Sequence, residues 1–379
     1  MRLYIVAGEA SGDSRGAELM KALRERLPGV EFIGAGGRTM KALAATLSPG
    51  APEIFDWADE AVVGLWDVLK KYGYFKRQMA RMLAEIVALK PDALITVDYP
   101  GFNLRLAKAA KARVPGLRTI HYVSPQVWAW NRGRIPKMAK YLDLMLCLFP
   151  FEVPMYEGAG LHAVCVGHPL LDTLAPEKID VARDPNLVAL LPGSRSKEVR
   201  KIFPVMLDAA VYLRMSRPRL RFETAAASEA LAAEMNEIMI ARGKDDSFCP
   251  ITLHGAHRLM QRAGAGMVCS GTATLESTYF GLPMTILYKV AWLTAFIGRR
   301  VLRIPWLGLP NVLAGREIAR EFIQEKAQPN HIANEMLQLI EHAGTRDLQL
   351  RGQREVIASL GEPGAARRAA EAIATALKA

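Results

Sequence analysis

Apolar residues in this chain fall into short unbroken runs, separated by longer stretches where they recur every third or fourth position. Residues 3–7 form such a run and predict a buried strand, and residues 17–27 carry Leu19, Met20, Leu23 and Leu27 at helical spacing before Pro28-Gly29 stops them. Phe32-Ile33 leads into Gly34-Ala35-Gly36-Gly37. This reads as a tight strand-to-helix turn rather than a dinucleotide loop, because the third spaced glycine and the following acid of that fingerprint are missing. An amphipathic helix over 78–89 ends at Pro91, and strands follow over 93–97, 118–123, 144–148 and 163–166. Residues 171–185, with Pro176, Pro185 and several charges, read as a linker. The alternation then restarts, with strands over 187–191, 219–224, 251–253, 266–269 and 284–288, and the Ala-rich end at 365–379 reads as a helix. Pro204 is expected to limit the regularity of the helix after the first of these strands. Continuous apolar strands alternating with helices predict parallel sheets covered on both faces. The fold class is therefore α/β. Two Rossmann-like domains are expected over 1–172 and 186–350, with 351–379 a C-terminal helix able to pack back on the first.

Ligands of doubly wound sheets bind outside the carboxyl ends of the strands, so the residues there are the candidates for chemistry. Three strand ends share one design: Val6-Ala7-Gly8-Glu9-Ala10-Ser11-Gly12-Asp13, Leu190-Leu191-Pro192-Gly193-Ser194-Arg195 and Cys269-Ser270-Gly271-Thr272-Ala273-Thr274-Leu275-Glu276. Each passes from an apolar strand through small residues into a helix, which offers backbone N–H groups and a positive helix end to phosphate. Arg195 can fork onto a diphosphate, although an ordinary turn with a solvated arginine fits the same residues. Glu276 can accept both hydroxyls of a ribose, or simply compensate its helix dipole. Asp98 ends a strand and is placed to serve as a general base, or as the N-cap of the next helix. His121 reads as a ligand, a partner of the base or a core residue, and Ser124 and Gly167-His168 also fall at strand ends. Together these positions suggest one cleft, with a nucleotide held by one half and a second substrate by the other.

Composition narrows the choice. The chain has 379 residues, too many for one comfortable core, and 51% hydrophobic with 23% charged residues is ordinary for a folded protein. Its four cysteines are scattered, with no Cys-x-x-Cys pair, and read as buried reduced thiols. The start reads as a strand entering a glycine loop rather than a secretion signal, and no apolar run reaches the roughly 20 residues that span a bilayer. A net charge of +11 suits anionic membranes, phosphorylated ligands or nucleic acid, but no nucleic-acid-binding module is recognisable. Two segments pair apolar residues and tryptophan with cations. One is Leu65 and Trp66 near Lys70 and Lys71; the other is Trp292, Leu293, Phe296 and Ile297 before Arg299, Arg300 and Arg303. Each fits an interfacial anchor or, alternatively, a buried helix with a solvated basic end. No Asp-x-Asp occurs and the histidines lack metal-ligand spacing, so no metal site is expected, and a diphosphate would be neutralised by Arg, amides and helix ends.

Five blocks, in order along the chain, closely resemble the lipid A disaccharide synthase family: Ala7–Asp13 as written above, His121-Tyr122-Val123-Ser124-Pro125-Gln126-Val127-Trp128-Ala129-Trp130, Leu190–Arg195, Ser270-Gly271-Thr272-Ala273, and Leu309-Pro310-Asn311-Val312-Leu313-Ala314-Gly315-Arg316-Glu317. The resemblance implies a GT-B glycosyltransferase that joins UDP-2,3-diacylglucosamine to 2,3-diacylglucosamine 1-phosphate. It forms a β(1→6) disaccharide and UDP, with inversion and without metal or other cofactor. It implies work at the cytoplasmic face of the inner membrane of a Gram-negative bacterium, on an anionic membrane surface, and is compatible with a homodimer. Asp98 matches the acid of the family's Asp-x-Pro-x-Phe-Asn block and is the implied base for the acceptor 6-hydroxyl. Arg195 and Asn311 match positions serving the donor, beside Gly193, Ser194, Ser270, Gly271, Thr272, Ala273 and Glu276. Glu9, Ser11, Gly12 and Asp13, with His121 and Ser124, fall on the acceptor side. Where many members carry a second Asp this chain has Gly101, so Asp98 is the only acid of its block. The rival expectations are another GT-B enzyme of cell-wall synthesis and a membrane-associated nucleotide-binding protein without chemistry.

Overall fold

The computed structural model describes residues 1–50, 52–57, 72–289 and 305–378. It divides into two compact units: Met1–Asp172 with Leu360–Ala379, and Thr173–Ser359. Unit 1 is built on strands β1 (Arg2–Ala7), β2 (Glu31–Gly36), β3 (Phe55–Asp56), β4 (Ala93–Val97), β5 (Arg118–Tyr122), β6 (Leu144–Cys147) and β7 (Ala163–Cys165). They form one parallel sheet in the order β3-β2-β1-β4-β5-β6-β7. β1 and β4 are almost wholly buried because helices cover both sheet faces, which is why their sequences show no alternation. The C-terminal helix Ala365–Lys378 packs on the helix Ala10–Arg26. Its first turn is held by Asp172, whose carboxylate accepts the N–H groups of Gly364 and Ala365.

Unit 2 holds β8 (Asp184–Leu191), β9 (Arg221–Ala226), β10 (Ile251–Leu253), β11 (Ala263–Cys269), β12 (Met284–Tyr288) and β13 (Glu321–Ile323), parallel in the order β10-β9-β8-β11-β12-β13. The helix Ser196–Ser216 supplies much of the core through Val199, Ile202, Phe203, Met206 and Leu213.

Several sequence expectations need correction. The stretch 171–185 does contain the boundary between the units, at Asp172/Thr173, but more of it is structured than a linker reading implies: it holds most of the helix Leu170–Leu174, a 3-10 turn over Ala175–Glu177 and the first residues of β8, with 178–183 in no regular element. The helix predicted over 17–27 begins at Ala10, because Ser11 and Gly12 belong to its first turn and interrupt the apolar period. Pro204 does not limit its helix, since the apolar face buried around it offsets the roughly 3 kcal/mol that an internal proline costs. The glycines at 34 and 36 lie inside β2 and not in a turn. At Gly34, with φ of +131°, a Cβ would stand 2.1 Å from the Ile5 carbonyl oxygen of β1, so only glycine lets these strands pair. The expected boundary at 350 moves to Ser359, because the helix Ala343–Ser359 is tied to unit 2. Gln349 bonds both the N–H and the carbonyl of Met284, and Gln353 bonds the Leu282 carbonyl.

Candidate active site

In unit 1 the strand order reverses between β1 and β4, paired with Ala7 opposite Val97. That is where a doubly wound sheet opens to ligands. The chain leaves β1 at Gly8 and β4 at Asp98. Asp98 and Tyr99 both adopt left-handed backbone conformations, with φ of 52° and 47°. For non-glycine residues this costs about 1–2 kcal/mol each. Three contacts hold the turn: the Tyr99 N–H donates to Asp98 Oδ1 at 2.9 Å, and the Asn103 amide donates to the carbonyls of Val97 and Asp98 at 3.1 and 2.8 Å. The Tyr99 ring occupies the space a side chain at Gly8 would need, 2.4 Å from a Cβ built there. On the other side Arg15 Nη1 donates to Asp98 Oδ2 at 2.7 Å. Sequence reasoning missed Arg15; its signal is a cation one helical turn beyond Gly12, on the face turned to β4.

The remaining acceptor-side candidates separate. Gly12 is buried against β4, while Ser11 is exposed and Glu9 partly so. Asp13 is not a ligand-facing residue: it is buried, and its carboxylate accepts the N–H groups of Gly37, Thr39 and Met40, capping the helix Arg38–Leu47. His121 is the core residue among its expected readings. It lies within the sheet on β5 with Nδ1 2.8 Å from Thr96 Oγ1, and burial pushes its pKa down to about 3. Ser124 is buried and donates to Glu152 Oε2 at 2.6 Å. Glu152 is itself fully buried and also accepts from Trp128 Nε1 and the N–H groups of Leu148 and Phe149, while burial raises its pKa. Its only sequence signal is a lone acid in the run Phe149–Pro154, which is too weak to have named it.

In unit 2 the order reverses between β8 and β11. Gly193 follows β8 with φ of +111°, and a Cβ there would meet Glu198 Oε2 at 2.4 Å. Ser194 and Arg195 are exposed, with Arg195 Nη1 3.1 Å from Glu198 Oε1 at the start of the helix Ser196–Ser216. After β11, Ser270 Oγ bonds the Leu307 carbonyl at 3.1 Å, Gly271 stands at the N-terminus of the helix Thr272–Tyr279, and Thr272 is exposed with Ala273 partly so. Glu276, one turn in, lies 3.6 Å from His257 Nε2, and this carboxylate raises the pKa of His257. Asn311 does not face a ligand. It is fully buried, its Nδ2 donates to Ala319 O and Glu321 Oε1, and its Oδ1 accepts from Ile318 and Ala319. Glu321 completes the clamp by accepting the N–H groups of Leu307 and Gly308, so Asn311 secures the loop that Ser270 touches.

Leu65, Trp66, Lys70, Lys71, Trp292, Leu293, Phe296, Ile297, Arg299, Arg300 and Arg303 lie outside the described residues. Among the described residues no helix is long and apolar enough to cross a membrane, and the four cysteines are unbridged.

Two units, each a doubly wound parallel α/β sheet with its own switch point, match the GT-B fold. S. aureus MnaA, in its UDP co-structure, shares it with a TM-score of 0.63 at 14% identity, covering 100% of this chain and 97% of that one. A family model described as lipid-A-disaccharide synthetase matches residues 3–376. The lipid-A-disaccharide synthase of Trichlorobacter lovleyi is 37% identical over 382 residues, covering 97% of this chain and 96% of its own. That of Pseudomonas aeruginosa strain UCBPP-PA14 is 39% identical over 351 residues, 90% of each chain. The chain belongs to the lipid-A-disaccharide synthase family, and this match favours neither rival expectation.

Proposed function

We propose that the protein transfers 2,3-diacylglucosamine from its UDP donor to 2,3-diacylglucosamine 1-phosphate, with inversion and without a metal. Asp98 accepts the proton of the acceptor 6-hydroxyl. The oxygen attacks the sugar C1, the bond from C1 to the diphosphate breaks, and UDP leaves with the electron pair. The observation that carries this reading is a partly open carboxylate held at the β1/β4 switch point of a family member. Unit 1 takes the acceptor, with Glu9, Ser11 and Gly12 beside Asp98. Unit 2 takes the donor. Gly193, Ser194, Ser270, Gly271, Thr272 and Ala273 offer amides and hydroxyls to the diphosphate, Arg195 stabilises the charge that grows on it, and Glu276 accepts the ribose hydroxyls. The apolar and basic composition of the segments around Trp66 and Trp292 supports a peripheral position on the anionic, cytoplasmic face of the inner membrane, where acylated substrates would reside.

UDP release from the acylated donor, with and without the monosaccharide 1-phosphate, tests the reading. Release that depends on both substrates and persists in excess EDTA supports it. Release from unacylated UDP-N-acetylglucosamine alone, or a need for Mg²⁺ or Mn²⁺, would sink it.

A further inference from the structure

We propose that Arg15 is the positioning residue for Asp98: its guanidinium fixes the carboxylate in the orientation from which it takes the acceptor's proton. The inference rests on Asp98 being the base. The two carboxylate oxygens have separate anchors. Oδ2 accepts from Arg15 Nη1 at 2.7 Å and Oδ1 from the Tyr99 N–H at 2.9 Å. An ionised carboxylate has about four lone-pair sites. Two therefore stay open for a hydroxyl while the side-chain torsions are fixed.

The pair is poorly placed to serve stability. The side chains of Arg15 and Asp98 remain 23% and 31% exposed, and ion pairs that water reaches contribute about 0–1 kcal/mol. The backbone around Asp98 is strained at two successive residues, so this turn is maintained at a cost and for a geometry. The helix bearing Arg15 runs directly beside the β4 exit: a Cβ built on Gly12, one turn earlier, would stand in ordinary van der Waals contact with Val97 O at 3.5 Å and Asp98 Cβ at 3.9 Å. Arginine suits the role better than lysine, since its planar guanidinium carries the donor in a rigid frame rather than on a freely rotating ammonium. Its charge is also felt by neighbours: His168 is pushed down to about 4, first by burial and then by Arg15, and the pKa of Glu18 is raised by burial and then Asp172, with Arg15 partly opposing them.

A double-mutant cycle on the full-length enzyme tests this, with Arg15→Gln, Arg15→Lys, Asp98→Asn and Arg15→Gln/Asp98→Asn assayed for kcat and both KM values. Arg15→Gln should lower kcat by ~10-fold with each KM within about twofold, Arg15→Lys should recover part of the loss, and Arg15→Gln should cost nothing further once Asp98 is Asn. The melting temperature should stay within about 2 °C of wild type, as for a solvent-reached ion pair. Independent, multiplying losses would overturn the assignment, as would a rise in acceptor KM alone, which would make Arg15 a substrate ligand. Full turnover by Asp98→Asn alone would instead remove the base itself, and the role of Arg15 with it. If Arg15→Gln fails to fold, Arg15→Lys in both Asp98 backgrounds gives the same comparison.

Discussion

At the exit of β4, Asp98 is held by a guanidinium, a backbone N–H and two left-handed non-glycine residues, whereas at the exit of β8 Gly193 makes the turn and Arg195 extends into solvent beside Glu198. The β11 exit follows the second pattern, with an exposed Gly271 and Thr272 opening a helix. A group that must take one proton from one oxygen needs a fixed direction, and strain is tolerable there. A diphosphate with many oxygens needs several donors at a helix end, and the backbone supplies them without a rigid side chain. The two units thus use one topology with different stiffness.

The comparison can be broken most sharply at Asp98. Asp98→Asn keeps the shape and removes the basicity, and kcat should fall by ~10² or more. Near-normal turnover would mean that the stiff exit holds no base. Next comes Asp13, assigned here to structure. Asp13→Ala strands the buried N–H groups of Gly37 and Met40 and the part-buried one of Thr39, so chemical denaturation should show a loss of about 2 kcal/mol, with kcat of the folded fraction little changed. A catalytic defect without a stability loss would return Asp13 to the site. On the softer side, Arg195→Ala should lower kcat by ~10-fold and also raise the donor KM, because its charge acts most strongly as the diphosphate leaves. A change confined to the acceptor KM would place it with the other substrate. The smallest effect concerns His257. Folding raises its pKa through Glu276, so the pair contributes fully below the ordinary histidine range, and the contribution fades as pH rises through the elevated value. Unfolding measured across that window should show His257→Gln flattening the slope by under about 1 kcal/mol; an unchanged slope would uncouple His257 from Glu276.

The central strands were readable because they are buried on both faces and their apolar runs are unbroken; β4 and β12 begin and end where the pattern puts them, and so does β10 although it is an exposed edge strand. The edge strands β3 and β13 escaped, being only two and three residues long, as did the start of β8, where Asp184, Pro185 and Asn186 are polar or poorly suited to a strand. The site was legible where chemistry sits at a strand end, as at Asp98 and Arg195. It was misread where a polar side chain at such an end spends its hydrogen bonds inside the fold. Asp13 and Asn311 look like ligands in a motif, and only coordinates reveal that backbone groups already surround them. Arg15 was passed over for the converse reason: its place one helical turn beyond Gly12 is a weak signal while its partner lies 83 positions away.

The C-terminal helix sets an order of events during synthesis. Residues 173–359 form one continuous unit, while the first unit is completed only by 360–379, across the long closure from Asp172 to Gly364. A ribosome delivers the chain from its N-terminus, so the later unit can close first and the earlier one must wait with the Ala10–Arg26 helix uncovered. Until 360–379 has been made, that helix lacks the partner that packs on it in the folded unit. A chain stopped just before 360 would carry every catalytic candidate named above and still lack the means to finish the half that holds Asp98.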